Sequence, residues 1–424
     1  MQEDFLHYIW KHKKFRFNNL KTTAGESIVI TSVGQHNFNS GPDFFNAKIK
    51  IGNQLWAGNA EIHLKSSDWF LHHHEQDKAY DNVILHIVWE DDTEVFRKDN
   101  TPIPTLELKA LVDLQIMTNY QTLFSQQNTW INCENDFAST DGFILNNWLE
   151  RLYFERLERK SDTIETLLEA SKNDWEAVLF KMITKNFGLK VNGESFLSLA
   201  QSIDFSIIKK TQSNPQVLEA LLLGQAGLLE QDVEGAYFNS LVKDYQFLKQ
   251  KFNIQNMQVL PIQFFRLRPS NFPTIRLSQL ANLYHNHQNL FSKIIDLNKL
   301  EDFYALFKIS TSSFWNTHYT FQKTASKTSK KTLTKAFVDL LLINTILPIK
   351  FSYAKQKGQE IDVEIIKIAT AIASEKNSII TAFNTLKDVS KSSLQSQALI
   401  QLKTEYCDKN KCLKCAVGNQ FLNR

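Results

Sequence analysis

The sequence predicts an α+β protein, a small N-terminal mixed α/β domain followed by a larger all-helical one. Three observations predict it. As far as Leu108 the chain breaks into short runs that end at Gly, Asn or Pro. From about Asp141 apolar residues recur at helical spacing, and no internal repeat or low-complexity tract interrupts either part. The boundaries that follow are a domain over 1–112, a linker over 113–140, and a helical domain over 141–424.

Taken in order, Phe5, Leu6, Ile9 and Trp10 predict a helix ahead of the sheet. ESIVITSV, DFFNAKIKI, LWAGNAEIHLK, NVILHIVWE and PTLELKALV each read as a strand, and Gly52-Asn53-Gln54 joins the second and third as a hairpin. The stretch MTNYQTLFSQQNTWINCENDF is the linker. Beyond it, FILNNWLERLYFERLERKSDTIETLLEA sets Leu149, Leu152, Tyr153 and Leu157 on one face. NDWEAVLFKMITKNFG follows, with Asn or Asp as its cap and Gly188 as its stop. Further helices are expected in PQVLEALLLGQAGLL, FNSLVKDYQFLKQKF, IRLSQLANLYHNHQNLF, LTKAFVDLLLINTIL and DVEIIKIATAIA.

The composition narrows the class. With 424 residues, 43% hydrophobic and 22% charged, the chain can bury a sizeable core, which excludes a collagen, a disordered tail and a disulfide-stapled mini-domain. Lys+Arg 48 against Asp+Glu 45 excludes a uniformly basic coat but leaves room for a local basic groove. The apolar stretch AFVDLLLINTILPI is too short to span a bilayer and contains Asp339. No signal-peptide pattern opens the chain, and four cysteines do not make a secreted framework, so a cytoplasmic protein without membrane contact is expected.

The strand LWAGNAEIHLK carries the chemistry. Period-2 alternation groups Trp56, Gly58, Ala60, Ile62 and Leu64 on a core-like face, and Asn59, Glu61, His63 and Lys65 on the other. A hairpin brings Asp43 of Gly41-Pro42-Asp43 to the end of the sheet where Glu61 sits. Two carboxylates suit Mg²⁺ or Mn²⁺, which take oxygen ligands, with an amine or imidazole positioning water. By parity Asp43 is in phase with Phe45, Ala47 and Ile49, so a bend after it is required to turn it towards Glu61. The bland reading of the same strand is a solvated sheet face.

Pro42-Asp43, a spacer and then Glu61 resemble the PD-(D/E)xK nuclease superfamily. The resemblance implies a metal held by Asp43 and Glu61, and another acid from the preceding helix, Glu3 or Asp4. The position of the family's Lys is occupied by His63, with Lys65 two residues further on. Either His63 replaces that Lys, or Lys65 reaches in, or the site is degenerate. Over nearly its full length the chain also resembles a bacterial family of unknown function. EDFLHYIW, GPDFFNAKIKIGNQLWAGNAEIHLKSSDW, AYDNVILHIV, RPSNFPTIRLSQLA, LLINTILP and YCDKNKCLKCAVGNQFL carry this second resemblance.

Eight of the eleven histidines precede Val88. A zinc hydrolase site is one reading of them; the other makes His72–His74 an exposed loop and His86 a hydrogen-bonded core residue. Cys407, Cys412 and Cys415 form C-x4-C-x2-C, and Cys133 is the natural fourth ligand for zinc or a [4Fe–4S] cluster. Superfamily nucleases that hold an iron–sulfur cluster provide an analogy.

No acidic residue falls between Phe303 and Val338, where Lys323, Lys327, Lys330 and Lys331 interleave with Ser and Thr. Arg266, Arg268 and Arg276 lie near Phe264, Phe265 and Phe272. Both segments have the chemistry of phosphate contact and base stacking, as well as of an ordinary solvated loop.

The expected function is therefore a divergent metal-dependent nuclease with a helical nucleic-acid-binding domain, DNA or RNA unresolved. The runner-up is a non-catalytic nucleic-acid-binding or scaffold protein on a degenerate nuclease fold, with the cysteines as a structural metal clamp. A histidine-based hydrolase of another substrate is the third. As a strand residue on a polar face, Glu61 is expected to tolerate Ala without loss of the fold.

Overall fold

The computed structural model describes residues 1–125 and 129–424. It divides into two compact units, one of Met1–Trp148 with Leu402–Arg424, the other of Leu149–Gln401.

In the first unit, helix α1 (Glu3–Lys11) buries Phe5, Leu6, Ile9 and Trp10. The strands are β1 (Leu20–Lys21), β2 (Ser27–Ser32), β3 (Gln35–His36), β4 (Phe44–Ile51), β5 (Gln54–Lys65), β6 (Val83–Glu90) and β7 (Thr105–Glu107). They form one sheet in the order β1-β2-β4-β5-β6-β7, with β3 paired to β4. Neighbours are antiparallel as far as β5, whereas β5–β6 and β6–β7 are parallel. The β4–β5 hairpin turns at Gly52-Asn53, and Gly52 takes φ +57, which costs glycine nothing. A parallel pair needs a crossover; residues 66–82 supply it, containing the one-turn helix α2 (Asp68–Leu71).

Three sequence expectations change here. Trp56 is 37% exposed and Leu55 66%, because β6 pairs with β5 only from Asn59 onward and the outer part of the hairpin projects beyond it. Within the expected linker, whose residues 126–128 lie outside the described residues, Leu114–Ser125 forms helix α3. Its Tyr120 ring stacks on Phe5 at 4.1 Å between centroids. The end of the chain, expected within the helical domain, belongs to this first unit. Asn119 donates to the carbonyl of Leu422, Asn423 donates to the Tyr8 hydroxyl, and Arg424 pairs with Asp136 at 3.0 Å.

The second unit is helical. The division between units falls inside α4 (Gly142–Ala170). Then come α5 (Trp175–Phe187), α6 (Leu189–Gln201), α7 (Phe205–Thr211), α8 (Pro215–Gln225), α9 (Ala236–Phe252) and α10 (Pro273–Asn286). The Asp174 side chain caps α5 by accepting from Ala177 N, and Gly188 ends it, but α6 starts at once. Leu149, Leu152, Tyr153 and Leu157 are all buried. A continuous helical run over Lys335–Lys357 is, by length and composition, apolar enough to cross a membrane, longer than the stretch considered from sequence. Two-thirds of its apolar window is buried in the protein. Its Asp339 accepts from the Tyr304 hydroxyl and its Lys350 pairs with Glu364 at 2.9 Å, the satisfied polar groups of a core helix.

Glu219 of α8 is fully buried; it accepts from the Tyr237 hydroxyl at 2.8 Å and from Trp315 Nε1. Glu219→Ala strands both donors in the core, an expected loss of about 3 kcal/mol in a urea unfolding titration.

Candidate functional site

Glu61 and Asp43 reach one another because β4 is bulged. Phe44 pairs with Ala60 and Ala47 with Gly58, so Phe45 and Asn46 stand against the single residue Asn59. Asn46 takes φ +57. The extra residue reverses the alternation, which puts Asp43 on the face of Glu61 rather than of Ala47. This bulge is the bend the sequence required.

The two carboxylates are cross-tied through the backbone. Glu61 Oε2 accepts the Asp43 N–H at 3.0 Å, and Asp43 Oδ2 accepts the Ile62 N–H at 3.0 Å. His7 of α1 places Nε2 3.1 Å from Asp43 Oδ2. Burial lowers the His7 pKa, but the adjoining Asp43 carboxylate more than offsets this and leaves it raised. Glu3 lies within electrostatic reach of Asp43; burial and then that charge raise its carboxyl. Asp4, the other acid of the helix, acts on Tyr120 instead.

Glu61 and His63 are not on a solvated face: they are 5% and 1% exposed. Burial, then the charge of Asp43, pushes the Glu61 carboxyl up to about 9. His63 is held neutral by burial and by the imidazoles of His86, His74 and His72. Parallel pairing sets His86 of β6 opposite Glu61, and His86 Nε2 meets His63 Nδ1 at 2.8 Å.

Lys65 does not join them. It is exposed, and its ammonium faces Asp92 at 3.7 Å because Ser66 and Ser67 fasten Asp92 beside the end of β5. The expectation that Lys65 belongs to the site is corrected accordingly, and His63 is the residue that lies beside Glu61.

The histidine run is more than a loop. Trp69 of α2 is buried, and its indole donates to the Phe96 carbonyl, anchoring the crossover. His73 then adopts φ +60, and the rings of both its neighbours reach the end of β5. His72 Nδ1 comes within 3.1 Å of His63 Nε2, and His74 Nε2 within 3.4 Å of Glu61 Oε1. The His74 ring stacks on Tyr80 at 3.8 Å between centroids. The crowding of histidines before Val88 was the available signal, but sequence spacing does not show which of them converge.

His86 carries a pH prediction. Burial, then the charge of His74, pulls its pKa down to about 3. Below an unfolded value of roughly 6.5, the unfolded chain takes up a proton that the native His86 refuses. Its contribution is thus complete above that pH and is lost as pH falls towards about 3. In the His86→Phe variant, unfolding free energy measured in urea should fall less steeply over this window, by about 1.4 kcal/mol per pH unit.

The four cysteines are brought together in the first unit. Cys133, Cys407, Cys412 and Cys415 line one cavity of about 20 Å³ with Ile131, Phe137 and Leu402, and none is in a disulfide. Cys412 and Cys415 flank a tight turn in which Cys415 N donates to the Cys412 carbonyl. Burial raises all four thiols, and neighbouring thiolate charge adds to the rise at Cys133, Cys407 and Cys415. Gly418 closes over this turn; a Cβ there would stand 2.2 Å from the Cys412 carbonyl oxygen.

Of the expected nucleic-acid contacts, Arg266, Arg268, Lys323, Lys327 and Lys330 are exposed. Arg266 lies 5.2 Å from the ring of Phe265, itself 74% exposed. Arg276 and Lys331 are corrected to core residues. The Arg276 guanidinium stacks 3.7 Å from the Phe337 ring and bonds Asn271 and Gln279; Lys331 donates to the Trp315 carbonyl. Both bury long apolar stems and turn their charged ends to internal partners, so neither presents its charge to a phosphate.

Comparison with curated proteins and with solved structures gives no match. The family model described as "Protein of unknown function (DUF2851)" matches residues 3–378, which includes every residue of the acidic and histidine cluster and Cys133, and ends before the three C-terminal cysteines. The chain belongs to the DUF2851 family.

Proposed function

We propose that this chain is a divergent metal-dependent nuclease of the PD-(D/E)xK type, hydrolysing phosphodiester bonds, with its helical unit as the nucleic-acid-binding part. The observation that carries this reading is the cross-tied pair of Asp43 and Glu61, with Glu3 and His7 beside it. A buried glutamate whose carboxyl is pushed to about 9 is a group that a cation would stabilise in its charged form. The donor set therefore fits a divalent ion: Asp43 and Glu61 would hold Mg²⁺ or Mn²⁺. Such an ion supplies an acidified water and offsets charge developing on the phosphoryl oxygens. His63 stands where the superfamily's Lys positions water and, being held neutral, can orient a water there by hydrogen bonding. Arg266, Arg268, Lys323, Lys327 and Lys330 contact phosphates, and the exposed Phe265 gives a base a ring to stack on. The test is cleavage of labelled single- and double-stranded DNA and RNA with Mn²⁺ or Mg²⁺. Absence of cleavage by anaerobically purified protein sinks the proposal.

One observation favours a second reading. The ammonium of Lys65 is committed to Asp92, so the family's lysine function is not met by lysine here. The alternative is a non-catalytic nucleic-acid-binding or scaffold protein on a degenerate nuclease fold, clamped by zinc or a [4Fe–4S] cluster at the four cysteines. Retained nucleic-acid binding without cleavage selects it.

A further inference from the structure

We infer that His63, His72, His74 and Glu61 form a binding site for a nitrogen-preferring divalent metal of the zinc class, which the carboxylate pair alone would not select. The distances carry it. His63 Nε2 lies 3.1 Å from His72 Nδ1 and 3.6 Å from Glu61 Oε1, and His74 Nε2 lies 3.4 Å from the same oxygen. An ion bonded tetrahedrally at about 2.0–2.1 Å separates its ligand atoms by about 3.3 Å. Three measured edges fall around that value, and the three imidazoles present one ligand atom each within 4.8 Å of the others.

The surroundings favour binding over a chance meeting of rings. His63 and Glu61 come from the part of β5 that pairs in register with β6. His74 is held by its stack on Tyr80 and by the edge of Trp69, 5.3 Å away between centroids. His63 Nδ1 faces His86 Nε2, which fixes the ring so that Nε2 points at the cluster, the outer support that metal-binding histidines ordinarily have. His72 is exposed, so solvent reaches the site from that side. Imidazoles with one carboxylate suit Zn²⁺, Co²⁺ or Fe²⁺, whereas Mg²⁺ prefers oxygen and keeps several waters.

Glu61 divides its two oxygens. Oε1 faces the histidines, and Oε2 accepts the Asp43 N–H. One carboxylate thus joins the nitrogen cluster to the acidic pair. The inference goes beyond the nuclease reading and does not need it, since the ion can bind whether or not a phosphodiester is cut.

The test is a titration of chelator-treated, reduced full-length protein with Co²⁺, followed by visible absorption, beside the variant His72→Ala/His74→Phe. Phenylalanine keeps the ring against Tyr80, and a thermal melt checks that the variant folds. Wild type should bind one more equivalent of Co²⁺ than the variant, through a band without thiolate-to-metal absorption. Zn²⁺ competition should show at least about a hundredfold weaker binding at this site in the variant. Thiolate-type absorption from the cysteine cluster, if present, stays unchanged between the two proteins. Equal stoichiometry and affinity in wild type and a folded variant overturns the inference. Should the variant not fold, His72→Ala alone, at an exposed position, decides by the same loss or retention. Binding without nuclease activity leaves this site standing and removes the nuclease proposal, so the two failures are distinguishable.

Discussion

Glu61→Gln is expected to reduce metal-dependent cleavage at least about a thousandfold while the protein stays folded. Glutamine preserves the shape of the side chain, and its carbonyl oxygen can still accept the Asp43 N–H that Glu61 Oε2 accepts at 3.0 Å. What it removes is the negative charge on which cation binding depends. Alanine is the weaker experiment. Because Glu61 is 5% exposed, truncation leaves a hole and strands the Asp43 N–H, so lost activity would be confounded with lost structure. The sequence-based expectation that Glu61→Ala leaves the fold intact assumed a solvated strand face, and β5 is covered there. Cleavage rates for wild type and Glu61→Gln, with near-ultraviolet circular dichroism to verify packing, settle the matter. Undiminished cleavage in a folded Glu61→Gln protein excludes Glu61 from the chemistry.

The second large effect belongs to the cysteines. Four thiols around about 20 Å³, each raised by burial, gain most from an ion that holds them as thiolates. Anaerobically purified wild type should carry one equivalent of zinc, or iron with acid-labile sulfide. Cys412→Ser/Cys415→Ser should lose it and melt at least about 10 °C lower, the consequence of several kcal/mol lost from a domain of this size. Elemental analysis and calorimetry read both quantities. Wild type without bound metal, or a double variant melting as wild type does, overturns the clamp.

Strands β2, β4, β5 and β6 were legible because apolar patterning and turn residues are local signals, and the same holds for the buried face Leu149, Leu152, Tyr153 and Leu157. Helices such as α6 and α7 were not. Leu189 begins α6 at φ +54 directly after Gly188, with no polar cap to announce it. The parallel pairing of β5 with β6 also escaped, since a strand's own pattern does not state which neighbour it will take.

The site divides along the same line. By itself the sequence determined that Asp43 and Glu61 lie near one end of a hairpin, that His63 rather than a lysine stands two residues after Glu61, and that three of the four cysteines fall in a C-x4-C-x2-C run. Each of these depends on spacing along one or two adjoining segments. Only the tertiary structure decided the rest. A bulge at Asn46 turned Asp43 to the face of Glu61, a crossover with His73 at positive φ carried His72 and His74 back to His63, and the chain end returned to Cys133. It also took Arg276 and Lys331 into the core, where Phe337 and the Trp315 carbonyl satisfy their charges. The physical reason is common to all of them. Burial and convergence depend on which distant segments pack together, and the free energy that selects that packing is shared among many side chains rather than held in any local motif.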